Sequence, residues 1–258
     1  MSFDADLNAC AALVERGDPL RFRAVMAVPV AARRVLFPLY AFNVEVARAP
    51  WVTQEPMIAE MRLQWWRDVC EEIAKGGPVR RHEVATPLAQ VITPGDADLL
   101  DQLVAARRWD IYKDPFEDAA HFADYLNRTS GHLTWVAARS LGAADEAVVR
   151  DAAFAAGVAT WLRAIPELEA KGRIPLVDGT ADGVKALAGE GLERLQNARK
   201  SRALVSKNAR AALLHVGQAE TTLKAALANP ARVADGQLPD VAAQDQLRLA
   251  FRSLTGRW

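Results

Sequence analysis

Four times in its first half the chain sets an aspartate or threonine directly before a proline: Asp18-Pro19, Thr86-Pro87, Thr93-Pro94 and Asp114-Pro115. A side-chain oxygen in that place can accept from the free N–H groups of a first helical turn. Proline suits the first helical position because its missing N–H has no intrahelical partner there. The punctuation predicts repeated helix starts, and between them apolar residues recur at helical spacing with almost no strand-like alternation. Over residues 53–75, Met57, Met61, Trp65, Val69 and Ile73 stand at steps of four and predict a core-facing stripe. Arg67, Asp68, Glu71 and Lys75 then fall largely away from it.

Residues 145–163 are dense in small side chains, among them Ala152, Ala153, Ala155, Ala156, Gly157 and Ala159, which predicts a central helix that neighbours approach closely. Residues 189–228 read as strongly helical with a break near 206–208, residues 229–240 as a loop, and 241–254 as a final helix. With 51% hydrophobic and 25% charged residues, 258 residues suffice for one large helical core and are too apolar for disorder. The expectation is an all-α chain, one domain over residues 1–258, with no internal repeat.

Charge and cysteine content exclude several classes. Acidic and basic residues balance at 32 each, without the basic surplus that bulk phosphate neutralisation needs, so no nucleic-acid partner is expected. Cys10 and Cys70 belong to no Cys-x-x-Cys or Cys/His cluster, which argues against a disulfide framework or zinc site and fits a reducing compartment. His82, His121, His132 and His215 have no metal-ligand spacing and read as surface or capping residues. The first 18 residues resemble neither a secretory signal nor a transit peptide, and no stretch reaches the roughly 18 to 20 apolar residues of a membrane span. A cytoplasmic protein, possible at the periphery of an inner membrane, is expected. The arginine pairs at 33–34, 80–81 and 107–108 read as solvated faces, open to an acidic partner or membrane surface but assigned no role. Trp258 either docks on the body or anchors a partner.

Two segments carry a more specific pattern. In GVATWLRAIPELEAKGRIPL, residues 157–176, a Leu162-Arg163 pair leads to Glu167, then Gly172-Arg173 and a short extended run. In YAFNVEVARAPW, residues 40–51, Tyr40, Ala41 and Phe42 open a second helix, followed by Trp65-Trp66 in EMRLQWWRDV and by Tyr125 and Gly131 further on. In this order and spacing the chain, from about residue 18 to 225, resembles the squalene/phytoene synthase family. That resemblance implies an isoprenoid-synthase type of helical bundle with a central apolar cavity. Enzymes of the family ionise an allylic diphosphate held by several Mg²⁺ ions, which need hard oxygen ligands from paired carboxylates one helical turn apart. Here the second signature has Ala164 and Leu168 where the resemblance calls for aspartates. The first has Val44 in place of an arginine, and Ala47, Arg48 and Trp51 in place of aspartates. Arg48 reverses the charge and would repel a divalent ion.

A catalytically degenerate branch of the superfamily, whose members assist assembly of respiratory complex I, is similar in the same departures: Asn-Val-Glu after Ala-Phe, and Leu-Arg-Ala. The expectation is therefore a non-catalytic protein without a cofactor, with a complex I subunit or assembly intermediate as partner and a prenyl or lipid ligand possible. Two alternatives stand beside it: an active prenyl transferase using farnesyl or geranylgeranyl diphosphate and Mg²⁺, and a metal-free lipid or prenyl carrier. The candidate ligand-binding residues of the cleft are Tyr40, Trp65, Trp66, Arg163, Glu167 and Arg173. The two arginines can bind an anionic head without metal.

Overall fold

The computed structural model describes residues 5–239 and 246–258. Among these described residues thirteen α-helices follow one another: α1 Ala5–Gly17, α2 Pro19–Met26, α3 Val30–Arg48, α4 Pro56–Ala74, α5 Ala85–Ala89, α6 Pro94–Ala106, α7 Ala119–Leu126, α8 His132–Leu141, α9 Glu146–Ala170, α10 Ala181–Lys200, α11 Ala219–Ala228, α12 Ala231–Ala234 and α13 Gln246–Thr255. Among the described residues no strand forms, only an isolated antiparallel bridge between Ala144 and Val205. The all-α expectation holds.

The small-residue helix is the axis of the bundle. α9 packs on α8, α10, α11 and the 3-10 segment Ala209–Gln218, and its alanines from Ala152 to Ala159 are buried. One contiguous apolar core runs through it to Leu36, Leu39 and Phe42 of α3, Leu100 and Leu103 of α6, and Leu133 of α8. The close approach has a specific seat: a Cβ on Gly157 would lie 3.1 Å from the Ser130 Cβ. There α7 runs into α8 through a π-type turn, Asn127–Gly131, in which Ser130 donates to the Ala153 carbonyl at 2.8 Å. Such turns widen a helix locally and often mark functional walls.

Two of the four proline signals start helices where the sequence places them. Asp18 accepts from the Arg21 N–H ahead of α2, and Thr93 forms a reciprocal capping box with Asp96 ahead of α6. Thr86-Pro87 instead lies inside α5, which begins at Ala85; Pro87 is still in the first turn, where N–H groups lack intrahelical partners, so it does no harm. No helix starts at Pro115. Phe116 turns inward to stack on Trp109 at 4.0 Å, and the helix begins only at Ala119, capped by Asp118.

The stripe on α4 also needs correction. Met57 and Met61 are 76% and 66% exposed, and the buried set is Ala59, Leu63, Trp66, Val69, Cys70 and Ile73. Steps of four overshoot a helical turn by about 40°, so the line Met57 to Ile73 winds about 160° around the helix, and only its last part meets the core. The break near 206–208 is broader than expected: α10 ends at Lys200, and 3-10 segments run to Gln218. Within the expected loop 229–240 lies the short α12; the start of the expected final helix, residues 241–245, is outside the described residues. Trp258 docks, 5% exposed, with the Arg199 Nε donating to its main-chain oxygen at 2.9 Å. His132 is no surface residue, being 5% exposed between α6 and α9. Both cysteines are buried thiols outside any disulfide.

Candidate functional site

A cavity of about 530 Å³ lies between α1, α3, the π-type turn and α9. Its walls answer the question posed by the two altered signatures. Val44, Ala47, Arg48 and Trp51 line it from α3 and the adjoining turn, and Ala164 and Leu168 line it from α9. Helical spacing brings each set to one face, and packing brings the two faces to one space. The positions at which the family resemblance calls for metal ligands thus share a cavity and present methyl, isobutyl, isopropyl, indole and guanidinium groups.

Mg²⁺ does not fit this donor set. It demands several hard oxygen ligands in octahedral array, and the carboxylates lining the cavity are Asp18 and Asp110. Asp18 accepts from the Arg21 main-chain N–H at 3.0 Å and from its guanidinium at 2.6 Å. Asp110, 4% exposed, accepts from the Tyr125 hydroxyl at 2.9 Å and from Arg107 at 3.1 Å. Among the described residues no group of three or more His, Cys, Asp and Glu is placed to grip a metal ion.

The cavity is not uniformly apolar. Arg16, Arg21, Arg48 and Arg107 line it against Leu13, Leu126, Leu133 and Trp161. Arg107, read from sequence as part of a solvated pair, is held inside the wall: it donates to the Tyr125 hydroxyl at 2.7 Å and lies 5.6 Å over that ring. The triad Arg107, Asp110 and Tyr125 brings its members from either side of the irregular stretch 111–118, a juxtaposition without local sequence signal. Burial pushes the Tyr125 hydroxyl well above its usual range, with Asp110 acting in the same direction against Arg107, so it stays protonated.

None of the six residues expected at the cleft is among those lining this cavity. Tyr40 lies behind it, 2% exposed, its hydroxyl donating to the Ala212 carbonyl at 3.3 Å and pushed up to about 12 by burial. It touches the site through Arg21, whose guanidinium sits 5.4 Å over its ring. Trp65 and Trp66 pack edge to face on each other at 4.7 Å, and Trp66 on Phe42 at 5.3 Å, inside the α3–α4 contact. Glu167 faces solvent and pairs with Lys171 at 2.6 Å. Arg163 donates to the Pro239 carbonyl and lines a smaller cavity of about 270 Å³ with His215, Gln218 and Thr222.

Arg173 has a different task. Gly172, at φ +73°, ends α9 in the left-handed conformation; its N–H bonds the Glu169 carbonyl at 2.8 Å and the Arg173 N–H the Leu168 carbonyl at 3.0 Å. This closure satisfies two of the last helix carbonyls. It sends Arg173, 7% exposed, back across the bundle to donate to the carbonyls of Asp110 and Tyr112 and to lie 5.0 Å over Trp51. The Gly-Arg pair is therefore a helix stop and a strut that fixes the wall carrying Asp110.

A model of the squalene/phytoene synthase family matches residues 14–178. The Drosophila melanogaster NADH dehydrogenase (ubiquinone) complex I, assembly factor 6 homolog is 32% identical over 181 residues, covering 63% of this chain and 53% of that protein. The Homo sapiens NADH dehydrogenase (ubiquinone) complex I, assembly factor 6 is 26% identical over 162 residues, covering 61% and 48%. The chain thus spans about half the length of the curated relatives it matches. Of solved structures, a dehydrosqualene synthase crystallised in complex with a ligand superposes with a TM-score of 0.79 at 14% identity, over 97% of this chain and 95% of that one. A squalene synthase from Alicyclobacillus acidocaldarius gives 0.69 at 18%, over 91% and 95%. At such identities these structures establish the fold.

Proposed function

Because the chain belongs to the squalene/phytoene synthase family yet lacks oxygen ligands at the cavity positions where that chemistry needs them, we propose that it is a non-catalytic member serving assembly of respiratory complex I, the NADH:quinone oxidoreductase. The observation that carries this reading is the convergence of Val44, Ala47, Arg48, Trp51, Ala164 and Leu168 on one cavity. A methyl or isobutyl group cannot coordinate Mg²⁺, and Arg48 opposes it electrostatically. The names borne by the curated relatives support the choice of client.

In this reading the cavity binds rather than transforms. An apolar tail of prenyl or acyl type would lie against Leu13, Leu126, Leu133 and Trp161, and an anionic head would meet Arg16, Arg21 and Arg48 without metal. The exposed Met57, Ile58 and Met61 at the start of α4 offer an apolar edge of the kind that partner subunits cover. Calorimetric titration with a non-hydrolysable farnesyl diphosphate analogue, with and without Mg²⁺, together with a product assay on farnesyl diphosphate, tests the absence of catalysis. Magnesium-dependent binding with formation of squalene or a related product would overturn it. Deleting the gene tests the client: loss of NADH:quinone oxidoreductase activity with isoprenoid products unchanged is expected, and the reverse would establish the prenyl transferase alternative.

A further inference from the structure

Buried polar atoms without a hydrogen-bond partner among the described residues gather at one place in this fold. The Nε of Arg21, the Nε2 of His215, the Nε2 of Gln218 and the Oγ1 of Thr222 are such atoms, and all four residues line the cavity of about 270 Å³ that Arg163 also lines. Buried polar groups are normally paired, and an unpaired one destabilises the fold unless something else completes it. The convergence follows from the helix type. In the 3-10 segment Ala209–Gln218 residues three apart eclipse one another, which sets Gln218 over His215; in α11 the next residue on that face is four further on, Thr222. Gln218 is 4% and Thr222 0% exposed.

Room for a ligand lies beside these atoms. α9 contributes the methyl groups of Ala156 and Ala159, and Gly17 and Pro19, exposed at the α1–α2 junction, line the space too, so it opens to solvent. At about 270 Å³ it falls below the roughly 300–1,000 Å³ that hold drug-sized molecules, so its occupant is small. The donor set fixes the chemistry. Arg21 and Gln218 offer N–H groups and Thr222 an O–H, while the His215 Nε2 donates or accepts according to its tautomer. Burial, then Arg21 against the smaller opposition of Asp18, hold the imidazole well below its usual range, so the ring is neutral and the potential at it is positive. Donors in a positive potential call for acceptor oxygens that carry negative charge. Asp18 stands in the same wall, bound to the Arg21 guanidinium at 2.6 Å. A polyanion such as a diphosphate would be repelled there, whereas a carboxylate brings a single charge.

We propose that this smaller cavity is a metal-free binding site for a small carboxylate, held by Arg21, Gln218 and Thr222 with His215 beside it. It shares Gly17, Asp18, Arg21 and Thr160 with the larger cavity, but Gln218 and Thr222 line only the smaller one. The proposal is independent of the client and of catalysis, and its test reads neither.

Butyrate is the probe, followed by saturation-transfer NMR on the full chain, with butyramide as the comparison of the same shape without the charge. Binding of butyrate, and much weaker binding of butyramide, is expected. A hydrogen bond to a charged group is worth about tenfold or more in affinity, so Thr222→Val and Gln218→Met should each raise the Kd for butyrate about tenfold. Valine keeps the volume of threonine, and the hydroxyl it removes bonds nothing in the empty site. The thermal melt of Thr222→Val without butyrate should therefore be unchanged or higher, while butyrate stabilises the natural chain and not the variant. Lys185→Gln removes an exposed cation paired to Asp182 and should bind butyrate like the natural chain. No binding of butyrate would leave the four groups to ordered water and overturn the proposal, as would equal binding of butyramide or undiminished binding in Thr222→Val. So would a lower melt of Thr222→Val without butyrate, since the hydroxyl would then have a partner, or tighter binding of inorganic pyrophosphate with the same sensitivity to that substitution.

Discussion

Mild acid should weaken this fold through His132. The imidazole lies 5% exposed between α6 and α9, its Nε2 3.2 Å from the Gln102 Oε1 and its Nδ1 3.2 Å from an Arg150 guanidinium nitrogen. Arg150 can only donate, so Nδ1 must accept. The proton then sits on Nε2 and is donated to Gln102. Protonating Nδ1 would set an N–H⁺ against a guanidinium in a dry site. Burial, with Arg150 and Arg128 adding to it, accordingly lowers the group to about 4. The unfolded chain takes up this proton near pH 6.5, and the folded chain refuses it until about pH 4. The stability tied to neutral His132 is therefore complete above pH 6.5 and falls as the pH drops toward 4. From pH 7.5 to 4.5 the loss amounts to about 2.5 kcal/mol. His132→Gln keeps one donor and one acceptor but does not titrate. Urea unfolding of both proteins at pH 7.5, 6.5, 5.5 and 4.5 should show stability curves that converge by about 2.5 kcal/mol toward acid. Parallel curves would refute the assigned tautomer and the buried neutral imidazole together.

Other substitutions probe the site directly. Placing aspartate at Ala47, Arg48, Trp51, Ala164 and Leu168 at once should create Mg²⁺-dependent binding of a diphosphate ligand that the natural chain lacks, measured by calorimetry; no gain would mean that the two cavity faces are not in register. Tyr125→Phe removes the hydroxyl that donates to buried Asp110 and accepts from Arg107, and should cost about 1–3 kcal/mol in urea unfolding. Gly172→Ala forces a Cβ into φ +73° and should cost about 1–2 kcal/mol; if Arg173 is the strut described above, Arg173→Lys should shift the near-ultraviolet signal of Trp51 and Trp109 even where stability changes little.

Local chemistry made the helices legible. Capped prolines at 18–19 and 93–94, the alanine run of α9 and Gly172 each act within a few residues, so their effects can be read without knowing the fold. The altered signatures were legible for the same reason, since the side chain at Ala164 or Arg48 is what it is in any fold. What the sequence by itself determined is thus the all-helical class, the family resemblance and the absence of paired carboxylates at the positions that would need them.

Tertiary structure decided the rest, because burial and charge neutralisation depend on partners far away in the chain. Arg107 and Arg33 belong to similar arginine pairs, yet one is fixed against Asp110 and Tyr125 in a cavity wall and the other keeps its charge on the surface. Arg173 follows the signature it was read in, but a left-handed glycine turns it onto the carbonyls of Asp110 and Tyr112, outside the lining of the cavity that holds the altered signatures. The strict four-residue stripe of α4 lost its first half to solvent because a helix turns by 3.6 residues and its neighbours cover only one side. Lys207, Arg210, Arg252 and Arg257 come to line one groove only because segments remote in sequence are packed side by side. Electrostatic fields add over space and not along the chain, so no window of sequence contains that surface.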